Sequence, residues 1–197
     1  PIEAEQADGT VMTVDKDQAI RADTTLEGIA ELKPAFKKDG VITAGISSPL
    51  NAAATSMLLM SKETAKAKGI KPLATIRSIG FAGVDPTIMG HGPVPASQKA
   101  LDKAGLKAAD IDFWEINEAF CIVALNCIKE LGLNPDTVNV MGGGTAIGHA
   151  LGATGVRLTG TLARILNLKN GRYGCANACV GGGQGVATII EKEDYDW

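Results

Sequence analysis

From Leu73 to Glu191 the sequence alternates between strand-like and helix-like stretches punctuated by glycine. A β-branched run, Leu73 to Ile79, is followed by Gly80 to Pro95, which holds four Gly and three Pro and reads as a long loop. Ala96 to Ala104 has the pattern of a short amphipathic helix stopped by Gly105. Ile111 to Ile116 then reads as a strand, Glu118 to Leu131 as a helix ended by Gly132, and Val138 to Met141 as another strand. A helix from about Gly152 to Leu166 follows. Two strands, Gly174 to Val180 and Val186 to Glu191, close the pattern across Gly181-Gly182-Gly183-Gln184-Gly185. Strands alternating with helices predict an α/β layered domain with helices covering the sheet faces. The closing strand pair makes that sheet mixed rather than all-parallel.

The first part of the chain is less regular. Thr10 to Asp15 alternates like a strand, and Thr24 to Leu32 reads as a short helix with Thr24 as N-cap and Glu27 completing a capping box. Val41 to Ala44 reads as a strand. Asn51 to Lys68, rich in Ala, Met and Leu, reads as a buried helix closed by Gly69.

Composition removes several functions. Apolar residues make up 45% of the 197, enough for a packed core and too many for a disordered chain. Nineteen basic against 22 acidic side chains leave a net charge of −3, which argues against a nucleic-acid partner. No apolar run approaches the ~18 residues of a membrane span, so no membrane is expected. The chain opens at Pro1 on an acidic stretch without an initiating Met, as a processed or cut product would.

Four cysteines, at 121, 127, 175 and 179, stand in apolar text and read as free thiols in a reducing compartment, for which the cytoplasm is the expectation. The mitochondrial matrix and the peroxisome meet the same requirement. Their spacings, with five and three intervening residues, are not those of a zinc site. Core packing is the reading for Cys121 and Cys127.

Three strand-end loops carry polar groups: Asn117-Glu118-Ala119-Phe120, the run Gly142-Gly143-Gly144-Thr145-Ala146-Ile147-Gly148-His149, and Cys179 before its own glycines. Ligands of open α/β sheets bind at such loops. A dinucleotide fingerprint is not met, because the glycine spacing is wrong and no Asp or Glu lies between His149 and Glu191. A Walker lysine is also missing. A histidine on one glycine loop and a cysteine beside another suit acyl transfer or carbanion chemistry, with backbone N–H groups available to a thiolate. The residues alone do not assign a nucleophile.

In order and in register, the chain resembles the C-terminal half of a thiolase. The likeness rests on Ser47-Ser48-Pro49-Leu50-Asn51, Met89-Gly90-x-Gly92-Pro93-Val94-Pro95-Ala96, Asn117-Glu118-Ala119-Phe120, Gly142-Gly143-Gly144-x-Ala146-x-Gly148-His149 and Cys179-x-Gly181-Gly182-Gly183-x-Gly185, with Lys33-Pro34-Ala35-Phe36 and Thr43-Ala44-Gly45 upstream. It implies a thiolase-like layered fold, with residues 1–50 the later part of a loop domain and 51–197 the C-terminal domain. It also implies roles. His149 would deprotonate a nucleophilic cysteine and help hold a thioester oxygen, and Cys179 would exchange the α-proton. Asn117 would position a water that forms one oxyanion hole with His149, and the Gly181 N–H would contribute to the other. Ser48 would contact the pantetheine arm of CoA, with Phe36, Met89 and Phe120 lining its tunnel. No permanently bound cofactor is implied; coenzyme A and acyl-CoA would be substrates.

Several positions depart from the family pattern. Ile46 stands where an Asn is usual, Asn51-Ala52-Ala53 replaces Asn-Asp-Gly, and Ala150 replaces the Pro after the histidine. His91 occupies a site usually small or aliphatic and is expected to be exposed and structural. The nucleophile of the family lies in its N-terminal half and has no counterpart here, so activity is expected only with that half, as a second polypeptide or a cleaved piece. An apolar face on the helix from Asn51 or the helix near Ala153 to Leu166 would meet it, within a homo- or hetero-oligomer. The alternative is a non-catalytic thiolase-like subunit giving structure or CoA binding to a larger complex. A ketoacyl synthase would not explain Cys179.

Overall fold

The computed structural model describes residues 1–17, 19–195 and 197. The backbone divides into two compact units, Pro1–Lys33 and Pro34–Trp197. In the first, strands β1 (Ile2–Glu5) and β2 (Val11–Val14) pair antiparallel. Gly9, at φ 82°, sits in the turn, where Asp8 accepts from the backbone N–H and the hydroxyl of Thr10. The helix α1 (Leu26–Ala30) is capped by Thr25, whose side chain accepts from Gly28 N at 3.0 Å. The expected cap was Thr24. The helix begins one residue later, so that the Thr25 oxygen meets the free N–H of its third residue.

The second unit is built on a four-stranded mixed sheet in the order β3 (Thr75–Gly83), β6 (Gln184–Glu191), β5 (Tyr173–Val180), β4 (Phe113–Ile116). β6 runs antiparallel to both neighbours, and β4 and β5 are parallel, so the expected mixed sheet is observed. One face carries α3 (Pro93–Ala104) and α4 (Cys121–Leu131) over a core that includes Leu101, Trp114, Ile116 and Ile189. The other carries α6 (Leu151–Leu168), whose Leu158, Leu162 and Leu166 pack on Ala176 and Ile190. Fully burying each such Leu contributes about 1.5–3 kcal/mol.

Glycine decides how closely α3 approaches. A Cβ at Gly80 would overlap the Ala96 carbonyl oxygen and lie 2.7 Å from Ala100 N. Gly80–Gly83 continues β3 instead of starting a loop, because it stays paired with Gln184 to Ala187 of β6, and only Val84 to Gly92, including the 3-10 turn Pro86–His91, connects it to α3.

Three other expectations are corrected. Val41 to Ala44 forms no strand: the Ile42 carbonyl is taken locally by Ala35 N at 2.8 Å, and a 3-10 turn covers Ala44–Ile46. Val138 to Met141 contributes a single bridge, Val138 to Trp114, because Asn139 turns left-handed at φ 48°. From Asn51 to Lys68 only α2 (Lys62–Ala67) is helical, with Ser61 as N-cap. Leu50, Leu58 and Leu59 are 95%, 77% and 66% exposed, so nothing among the described residues packs an apolar face that would sustain a longer helix.

Candidate active site

β4 and β5 are parallel, with Ile116 opposite Asn177, so the residues after them emerge side by side at one sheet edge. Asn117 continues β4 and is fully buried, its N–H donating to Asn177 O at 2.9 Å. Its Nδ2 lies 3.3 Å from His149 Nε2. The ring's other nitrogen, Nδ1, lies 2.7 Å from Thr154 Oγ1 on α6. The Thr154 hydroxyl donates its own proton to Ala150 O at 2.9 Å, so toward His149 it accepts. The neutral ring therefore carries its proton on Nδ1 and turns the Nε2 lone pair toward the Asn117 amide. Burial, helped by the nearby positive charge of Arg157, holds the His149 pKa below its ordinary value and favours this neutral form. Asn117 Oδ1 is buried without a protein partner among the described residues.

Cys179 lies near the end of β5, 6% exposed, in the core that Met89 and Phe120 partly cover. The glycine run beside it suggests a thiolate held by backbone N–H groups. Burial instead pushes the pKa up, only partly opposed by the backbone N–H of Cys179, so the resting side chain is a thiol. Cys127 and Cys175 are fully buried and pushed up to about 12 by the same cause, as packing residues would be. Cys121 is half-buried, 3.4 Å from Thr145 Oγ1.

Of the residues expected along a pantetheine tunnel, Ser48 and Phe36 meet Ala119 and Phe120, and Met89 packs on the core. Ser48 donates to Ala119 O from both N (3.1 Å) and Oγ (3.2 Å). Phe36 stands edge-on to Phe120 with ring centroids 5.7 Å apart. Gly181 is exposed on the β5–β6 turn, with nothing within 4 Å of a Cβ position. His91 is half-buried rather than exposed, because Asn126 of α4 approaches its Nδ1 at 3.3 Å.

Several groups escape sequence reasoning. Thr154 looks like any helical threonine; only its place one turn after His149 hints at its role. Glu115, on the strand before Asn117, is fully buried, and its Oε2 lies 3.5 Å from Arg157 Nη1 without hydrogen-bond geometry. Burial pushes its pKa up to about 7, with Arg157 opposing and Glu118 reinforcing the shift. Asn139 uses its side chain as a strand would, accepting from Ile116 N at 2.8 Å and donating to Ile116 O at 3.0 Å.

A buried asparagine at the end of β4, a histidine whose tautomer is fixed from α6 and a buried thiol near the end of β5 are thus the polar and reactive groups of this mixed α/β unit. The chain belongs to the thiolase family: the family model described as "Thiolase, C-terminal domain" matches residues 70–192, and "Thiolase, N-terminal domain" matches residues 1–63. It is 48% identical over 196 residues, 98% of its own length, to a 3-ketoacyl-CoA thiolase of Marinobacter nauticus and equally to one of Vibrio cholerae. These matches take up 50% and 51% of those relatives, so the chain spans about half the length of the curated relatives it matches. Among solved structures it is similar to the Bacillus anthracis acetyl-CoA acetyltransferase (47% identity, TM-score 0.85, covering 97% of this chain and 48% of that one). It is also similar to a human mitochondrial 3-ketoacyl-CoA thiolase in complex with CoA (40% identity, TM-score 0.81, 93% of this chain and 46% of that one).

Proposed function

We propose that this chain supplies the C-terminal part of a thiolase acting on 3-ketoacyl-CoA, with the nucleophilic cysteine coming from an N-terminal half. The observation that carries this reading is the Asn117–His149 pair, 3.3 Å apart, with Thr154 leaving the His149 lone pair on Nε2. In thiolysis the nucleophile passes its proton to Nε2 and attacks the 3-keto carbon. The Cα–Cβ bond breaks, and its electrons move onto the departing acetyl-CoA enolate. That enolate oxygen is held by protonated His149 and a water on Asn117, whose buried Oδ1 has no protein partner among the described residues. The Cys179 thiol gives its proton to the enolate carbon, a role that suits a side chain kept protonated by burial. A second CoA, entering along Ser48, Phe36, Met89 and Phe120, gives its thiol proton to the Cys179 thiolate and attacks the acyl thioester; the acyl–cysteine bond breaks, the nucleophile regains its proton from His149, and the Gly181 N–H assists at that oxyanion. The reverse sequence is the Claisen condensation.

The departures at 46, 52 and 53 leave this arrangement intact, since Ser48 holds its loop to Ala119 through two hydrogen bonds. We infer that the exposed Leu58, Ile147 and Leu151 (77%, 55% and 78%) meet the N-terminal half within an oligomer. Four unpaired thiols favour a reducing compartment, and we assign the cytoplasm. The test is to purify the chain with its partners and identify them by intact mass and N-terminal analysis. A partner of similar size bearing a reactive cysteine, with thiolysis in the same fraction, is expected. A chain that purifies alone and binds CoA without turnover would instead be a non-catalytic subunit.

A further inference from the structure

The histidine loop is loosely built for the work assigned to it. Gly142 and Gly148 have φ 87° and 91°, Ala146 and Ile147 are exposed, and α5 (Gly144–Ile147) is a single turn. A glycine-rich segment of this kind has much conformational freedom to lose, and needs a tether if His149 is to keep its distance from Asn117. Glu118, the residue after Asn117, provides one. Its Oε2 accepts from Thr145 N at 3.0 Å, and its Oε1 accepts from Asn139 Nδ2 at 2.7 Å. Asn139 also holds both backbone polar groups of Ile116, so the carboxylate joins the strand leading to Asn117 with the loop leading to His149. Gly143 completes the fit, because any Cβ there would overlap the Glu118 carboxyl group. Bonds to an ionised carboxylate are about twice as strong as neutral ones.

We propose that Glu118 is a positioning residue: it touches no substrate, and sets the Asn117–His149 geometry by clamping the Gly143–Thr145 backbone to the end of β4. The proposal rests on the thiolase reading of Asn117 and His149, and its test has one arm that does not need that reading. In the 197-residue chain, with its two histidines, nitrogen NMR reads each imidazole separately. Glu118→Ala should move the His149 Nε2 signal toward that of an unpaired imine nitrogen while His91 stays in place. Glu118→Gln, which keeps one acceptor oxygen, should fall between. An unmoved His149 in a folded Glu118→Ala chain overturns the proposal, as do equal shifts of both histidines. Should Glu118→Ala fail to fold, Glu118→Gln decides by the same comparison.

The second arm uses the chain assembled with its N-terminal half. Glu118→Ala should lower kcat about 10- to 100-fold with KM within about twofold, because a misplaced group spoils the transition state rather than binding. Substantial recovery in Glu118→Gln is expected. A raised KM at unchanged kcat contradicts the proposal. If the wild-type assembly shows no thiolysis, the functional reading fails, while the imidazole signals still decide the role of Glu118.

Discussion

Thr154 Oγ1 accepts from His149 Nδ1 at 2.7 Å while donating to Ala150 O at 2.9 Å, so one hydroxyl fixes both the tautomer and the tilt of the ring. Thr154→Val keeps the shape of the side chain and removes the acceptor. It should lower kcat of the assembled enzyme on the order of 10- to 100-fold, as losses of orienting partners do, and should let the imidazole proton redistribute to Nε2. Thr154→Ser should restore both. Steady-state kinetics beside the His149 nitrogen signals check this, and unchanged kcat in Thr154→Val would contradict it.

Arg157 bears on the same ring. After burial, its charge is the second cause that holds the His149 pKa down. Arg157→Met should therefore raise the His149 pKa, though not above the ordinary 6.5, because burial remains. An NMR titration with His91 as internal reference gives the answer directly.

Glu115 makes stability depend on pH. Its folded pKa of about 7 exceeds the ordinary 4.5, so between these values the native chain holds a proton that the unfolded chain has released. The stability this gives is fully present below about pH 4.5 and is lost as pH rises through about 7, with a slope of at most about 1.4 kcal/mol per pH unit. His149 acts in the opposite sense: its depressed pKa contributes stability above about 6.5 that is lost on acidification. Glu115→Gln isolates the carboxyl contribution. From about pH 5 to about pH 8 the urea midpoint of the variant relative to the wild type should climb with pH, because Glu115→Gln removes the falling contribution and leaves the rising one of His149.

Two glycines should respond in opposite ways. Gly80→Ala forces a Cβ into the α3 backbone and should cost about 1–3 kcal/mol. Gly155, inside α6, has nothing within 4 Å of its Cβ position, so Gly155→Ala should stabilise the chain alone by about 0.5–1 kcal/mol. If α6 meets the N-terminal half, that same added methyl should weaken assembly. Denaturation of the chain and titration with the partner half separate the two effects.

How legible the molecule is in its sequence varies with the kind of signal. β5 and β6 can be read because apolar strands flank an unmistakable glycine turn, and α6 because its apolar stripe has helical period. Asn51 to Lys68 misleads because apolar content without a covered face does not make a helix; Leu58 and Leu59 remain exposed here. Asn117 and Cys179 stand out as polar or reactive groups at strand ends, and His149 as one closing a glycine-rich loop. Thr154, Glu118 and Asn139 do not, since their roles come from hydrogen bonds spanning 5, 27 and 23 residues that no local pattern records. The raised pKa of Cys179 is likewise a property of its burial rather than of the glycines beside it.

The most direct test of the central claim combines the chain with an N-terminal thiolase half and follows acetoacetyl-CoA thiolysis, using wild type and Cys179→Ala in parallel. Turnover that requires both halves and is abolished by Cys179→Ala is the expected result. A stable complex without thiolysis, or thiolysis indifferent to Cys179→Ala, would contradict the account.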